Sequence, residues 1–292
     1  MQIHNHLPLL LDCLRRWEAR PSLAAFEAEY VAPLSRWLSS TFIDVRRLYL
    51  ALADLNWPAY RAEALALDPA REEARLRRRL ADVEALFGAP LGGRALLFGA
   101  FTCMDGYARF DRGDHTVFLG VDESHGRGAY LDVLIAHELT HVVRESRPEV
   151  WEGWGLSLDM TNHEFTERLP VVEHLVNEGF SCVVSELLVP GEDRWHYAYQ
   201  SEDDLARIVN HGPAVDAVVH AELRDPDGDY GRLYSPSRYG RSMPMFTHYV
   251  WAWQWVKRLL RTHAGGDPRR LVARCSKDLV DDALSFRLER LE

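Results

Sequence analysis

Apolar residues recur at intervals of three and four through the first ninety positions. LPLLLDCLRRWEA, FEAEYVAPLSRWL and FIDVRRLYLALADL all carry this spacing and predict helices. The charged run AREEARLRRRLADVEALFG continues the pattern with interleaved signs, as a solvated helix face does. Pro58 and the GAPLGG stretch punctuate the region. Between 95 and 121 the period shortens, and ALLFGAFTC, YARF and HTVFLGV read as strands separated by a turn at MDG and a polar DRGD. Helix returns over 128–145, where YLDVLIAHELTHVVRE supplies good helix formers until Pro148 forbids continuation. Beyond a Trp- and Gly-rich WEGWG, PVVEHLVNEGFSCVVSELLVPG predicts a helix starting near Pro170, with Pro-Gly past its end. RDPDGDYGRLYSPSRYGRSMP, 224–244, is too long for a plain connector and predicts a functional loop.

These elements predict an α+β, mostly helical fold, with an N-terminal helical region over 1–90 and a second region over 91–292 that joins the strands to the remaining helices. A chain of 292 residues, 47% hydrophobic, buries a substantial core, and no internal repeat or low-complexity tract interrupts it. MPMFTHYVWAWQWV, 243–256, falls short of a membrane span and carries His248 and Gln254, so it predicts a core helix. A formal charge of -10 argues against nucleic acid or an anionic membrane surface as the main partner. Cys13, Cys103, Cys182 and Cys275 lie far apart with no CxxC pair, which predicts neither a disulfide framework nor a thiolate zinc knuckle. The first twenty residues lack a basic start, and Asp12 breaks their apolar run, so no secretory leader is expected. Both features fit a reducing, cytoplasmic setting.

The chemistry concentrates in LIAHELTHVVRE. On a helix, His137 and His141 sit one above the other and project their imidazoles toward a shared point. Two ligands of a tetrahedral zinc ion can come from such a turn, and a catalytic site needs a third protein ligand and an open position. Glu138 is rotated about 100° off that line, where it can flank a metal without binding it and act as general base. The bland alternative is a pair of histidines satisfied by hydrogen bonds within a helix interface.

The best third ligand is Glu178 in LVNEGFS, with His163, Glu164 and His174 as competitors in the intervening segment. HELTH followed by NEGFS resembles the gluzincin metallopeptidases, where a glutamate on the next long helix answers the two histidines. NEGF is similar to the glutamate motif of aminopeptidase N-type enzymes, and NE to that of thermolysin. The order DGYARFDRGDHTVFLGV, then the histidines, then VVEHLVNEGF also resembles predicted bacterial zinc proteases. The resemblance spans roughly 95–260 and rests on two short motifs. It implies His137, His141 and Glu178 as Zn²⁺ ligands, Glu138 as catalytic base, and a gluzincin-like domain with a small sheet beside the HExxH helix. The implied reaction is hydrolysis of a peptide or protein substrate by zinc-activated water.

Gluzincins add an electrophile, Tyr or His, far downstream. Tyr239 in SPSRYGRSMP is the first choice, His248 the second, with Tyr230 and Tyr234 behind, although each also reads as an ordinary packed side chain. His174, one turn before Glu178, can orient that carboxylate or contact substrate. The resemblance further implies that HTVFLGV is an edge strand able to pair with an extended peptide; a core strand with both edges occupied is the alternative. Arg238 and Arg241 can receive a substrate carboxylate or merely solvate their loop. A zinc protein without activity is the rival reading, and an intact Glu138 weighs against it, because a purely structural site needs only its ligands.

Overall fold

The computed structural model describes residues 1–38, 45–124, 129–240 and 243–289, and Arg241 falls outside them. The chain is mostly helical around one small mixed sheet. Strands β1 (Gln2–Asn5), β2 (Arg94–Phe98), β3 (Gly106–Asp111) and β4 (Asp114–Gly120) lie in the order β1-β2-β4-β3. β1–β2 and β2–β4 pair in parallel and β3–β4 antiparallel. β4 is buried from His115 to Gly120 because it is central, as its apolar run allows. The edge is instead β3, whose alternation is weaker and whose residues are mostly half-buried. The edge-strand expectation therefore moves from HTVFLGV to GYARFD.

β1 lies inside the region expected to be wholly helical; four residues are too few to show a period. Its pairing with β2 crosses position 90, and one hydrophobic core runs from Leu7 to Leu288. The charged helix Pro69–Phe87 also faces inward. Leu76, Leu80, Val83 and Phe87 form its buried stripe, while Arg75, Arg78 and Arg79 converge on the buried Asp132. That carboxylate sits in the first turn of its own helix, where the helix dipole favours negative charge.

Three long helices hold the centre. The histidine helix (Tyr130–Glu145) is buried at all sixteen positions, as suits a helix enclosed on every side. The glutamate helix (Val171–Leu188) packs against it and, on its other face, against the tryptophan helix (Thr247–Ala264). A Cβ at Gly179 would come within 2.3 Å of the Ala252 carbonyl oxygen, so glycine permits this close approach beside Glu178. The indoles of Trp251, Trp253 and Trp255 are buried, and their N–H groups donate to Asp216, Glu186 and Asp282, as a core helix requires. Among the described residues no helix is long and apolar enough to cross a membrane.

One buried ion pair sets the register of the two central helices. Arg144 donates to both oxygens of Glu173 at 2.8 Å and also to the carbonyls of Leu271, Val272 and Arg274. Both side chains are fully buried, so the pair holds only because the guanidinium is so completely satisfied.

Candidate metal centre

The histidine helix and the glutamate helix bring three donors together. Ligand atoms of His137, His141 and Glu178 lie within 4.8 Å of one another, all buried. Glu178 Oε2 is 3.2 Å from His137 Nε2 and 3.5 Å from His141 Nε2. The distal ring nitrogens are supported by the same glutamate helix one turn on. His141 Nδ1 faces Ser181 Oγ at 3.3 Å, and His137 Nδ1 faces Cys182 Sγ at 3.9 Å. One rigid element thus carries the carboxylate and the side chains facing both distal nitrogens, which leaves the Nε2 atom of each ring turned toward Glu178.

Charge favours a cation there. Burial opposes ionisation of Glu178, but His141 and hydrogen bonds from both imidazoles hold its pKa well below the carboxylate norm. Burial likewise opposes a charged His141; the charge and hydrogen bond of Glu178, with Glu138 and Glu145, push it up to about 10. Burial lowers His137 to about 4 against the pull of Glu178. The enclosed carboxylate therefore demands a positive neighbour, which a proton on His141 supplies in the free protein. Two imidazole nitrogens and a carboxylate oxygen are the donors zinc takes in a catalytic site, so the residues fit a Zn²⁺ ion.

Glu138 stands apart from the ligand trio, beneath edge strand β3. Its carboxyl group accepts the Ala108 N–H, and burial, with Glu178 and Glu145 nearby, raises its pKa to about 8 despite His141. Room for it exists because position 106 is glycine: a Cβ there would come within 2.6 Å of Glu138 Oε1. His137, Glu138, His141 and Glu178 all line one cavity of about 1030 Å³, walled by β3, the two central helices, the 195–202 segment and part of the 224–244 loop.

Neither Tyr239 nor His248 lines this cavity. The Tyr239 hydroxyl is buried without a hydrogen-bond partner, and burial raises its pKa. His248 lies behind His174, with their Nε2 atoms 3.3 Å apart, and His174 in turn places Nδ1 3.8 Å from Glu178 Oε1. His174 therefore stands beside Glu178 without a hydrogen bond to it. His163 and Glu164 sit on the short helix Asn162–Arg168, with His163 exposed and Glu164 closing a capping box with Thr161. Arg238 pairs with Glu222 and does not line the cavity.

Tyr230 and Tyr234 do line it, as do Tyr199 and Tyr249, which the sequence did not single out. Tyr234 and Tyr249 share a hydrogen bond at 3.0 Å, and Tyr230 stacks on His174. Tyr199 differs: its ring packs edge-on against His137 at 4.9 Å, its backbone φ is 55°, and its hydroxyl has no hydrogen-bond partner. A non-glycine residue held at positive φ is local strain that the surrounding packing sustains. The chain matches no protein-family model, no curated protein and no solved structure.

Proposed function

We propose that this chain is a zinc-dependent peptidase of gluzincin type, with His137, His141 and Glu178 as metal ligands and Glu138 as general base. The supporting observation is the convergence of Glu178, from a separate helix, on the two imidazoles, while Glu138 stays off the ligand trio and on the cavity. A purely structural site has no need of a buried, cavity-facing carboxyl group one residue from a ligand.

Zinc, when bound, supplies the Lewis acidity that makes water nucleophilic near neutral pH. Glu138 takes a proton from the attacking water and returns it to the leaving amine. The Ala108 N–H holds that carboxyl group in place. An extended substrate adds to the outer edge of β3, whose only strand partner among the described residues is β4. The enclosed hydroxyl of Tyr199 is the free donor for the oxyanion that develops on the scissile carbonyl.

Elemental analysis of purified protein, with turnover of a peptide panel before and after chelation, tests the reading. Glu138→Gln should keep its zinc and lose activity by about 10²–10⁴-fold. Zinc-loaded protein that cleaves no peptide, or a Glu138→Gln variant as active as the wild type, rejects it.

A further inference from the structure

Beyond Ala108 the outer edge of β3 is not open. Side chains alternate along a strand, so Phe110 and Asp111 point to opposite faces of the sheet. The short helix Asn162–Arg168 touches both. Its Phe165 ring lies 5.2 Å from that of Phe110 on one face, and the Asn162 N–H donates to Asp111 Oδ1 at 3.1 Å on the other. β4 occupies the inner edge, so an element in contact with both faces passes around the hairpin turn or the outer edge. The turn is met by the residues before the helix, where the Arg112 N–H donates to the Met160 carbonyl at 2.7 Å. The helix reaches further back, because the side chains of Asn162 and Tyr107 share a hydrogen bond. It therefore flanks the outer edge itself.

What stays free is short. Of β3, only Gly106, Tyr107 and Ala108 line the cavity, and the wall beyond them is formed by Asn162, Phe165, Thr166 and, just past the helix, Leu169. At about 3.3 Å per residue, these three strand residues give an extended chain about 10 Å of edge to pair with. Leu169 is buried and Asn162 and Phe165 are half-buried; Thr166 is exposed and turns its hydroxyl back onto the Asn162 and His163 carbonyls, both at 2.9 Å. At the other end of β3, the loop leading into Gly106 places an exposed Thr102 on the cavity.

Resting on the peptidase reading for the occupant, we infer that the helix Asn162–Arg168 ends the substrate track, so that the cavity takes the end of a peptide chain and not an internal stretch. β3 runs toward this stop. A chain lying antiparallel to β3 brings its amino end against the helix, and a parallel one brings its carboxyl end. In either case the chain is free to continue in the other direction.

The test uses Glu138→Gln protein, so that binding is read without turnover. One decapeptide is presented free, with a small folded carrier protein at its amino end, at its carboxyl end, or at both. The free peptide and one single fusion should bind alike. The other single fusion and the double fusion should bind at least about 10-fold more weakly, because each forces chain into space that wall side chains fill. Any other ranking, or a free peptide that does not bind, overturns the inference. Asn162→Ala/Phe165→Ala in the same background removes both side chains that grip β3 and should narrow the gap. An unchanged gap in that variant overturns the helix as the stop, and the ranking of the four ligands decides by itself if the variant does not fold. Turnover by the wild type is scored separately: end-dependent binding with no hydrolysis supports the stop and rejects the peptidase, and hydrolysis of the double fusion does the reverse.

Discussion

Gly106→Ala isolates the placement of Glu138 from everything else in the site. Position 106 begins the edge strand, and its backbone is not in the left-handed region, so alanine is tolerated by the main chain itself. The new Cβ would lie 2.6 Å from Glu138 Oε1, 2.8 Å from its Cγ and 2.8 Å from Leu134 Cδ1. Ordinary contact is about 3.5–4 Å, so the Glu138 side chain must withdraw by about 1 Å. Leu134 has little freedom to yield, because it is 1% exposed in a fully buried helix. Overpacking of this kind costs about 1–3 kcal/mol of stability, whereas a 1 Å misplacement of a reacting group costs about 10²-fold in rate. On the proposed function zinc should be retained, because the atoms nearest the added methyl group belong to Glu138 and Leu134. Steady-state kinetics with metal analysis would show kcat down about 100-fold at unchanged zinc content. The decisive control is Gly106→Ala in the Glu138→Gln background, where no further loss is expected because the two act through one group. An additive second loss, or wild-type kcat in the single variant, refutes Glu138 as the positioned base.

Tyr199→Phe removes the enclosed hydroxyl while keeping the ring on His137; kcat should fall about 10²–10³-fold with KM little changed, and an unaltered kcat removes Tyr199 from the mechanism. Glu173→Gln strands the fully buried Arg144 charge and should cost about 3–5 kcal/mol in denaturant unfolding, and an unfolding midpoint equal to the wild type's rejects the pair as a stabilising contact. Stability should also depend on acid through His220 and His248. Burial, then Arg287 for His220 and His174 for His248, lowers both below the ordinary 6.5, so each is neutral in the fold. Unfolding returns them to about 6.5, and the unfolded chain takes up protons first as the pH falls. Their contribution is complete above that value and is lost as the pH drops through the folded pKa values. Denaturant midpoints should therefore decline from pH 7 to pH 5, and His220→Gln should flatten the decline; an unchanged slope in that variant rejects the assignment.

The histidine pair was legible because a helix has a fixed period: once 128–145 reads as helical, His137 and His141 share a face and Glu138 does not. Glu178 was legible from a string of five residues, and its supports followed the same arithmetic, since Ser181 and Cys182 stand three and four positions on. What the sequence hid was set by tertiary packing. Tyr239 and Tyr234 belong to one loop, and the tight turn Tyr230–Tyr234 decides which of its tyrosines faces the cavity. His248 and Tyr249 are neighbours separated by 100° of helix, and the tryptophan helix turns the second, not the first, toward the cavity. Tyr199 had no local signal at all, because its value lies in an unusual backbone angle beside His137. Likewise the arginines at 75, 78 and 79 read as solvated until Asp132 supplied a buried partner from another helix.

Concentrating so many ionisable groups in a closed core is costly, and the fold shows how that cost is contained. The Arg144–Glu173 pair joins the histidine helix to the glutamate helix with each charge fully hydrogen-bonded, so their mutual register is set independently of any ion. Gly179 then brings the tryptophan helix against the far side of the glutamate helix, which leaves Glu178 little room to retreat from the imidazoles. The rigidity therefore lies in what surrounds the centre: a fully satisfied ion pair fixes the register of two helices, and a glycine lets the third close against them. With that frame in place, the buried carboxylate of Glu178 meets both imidazoles without relying on any loop to position it.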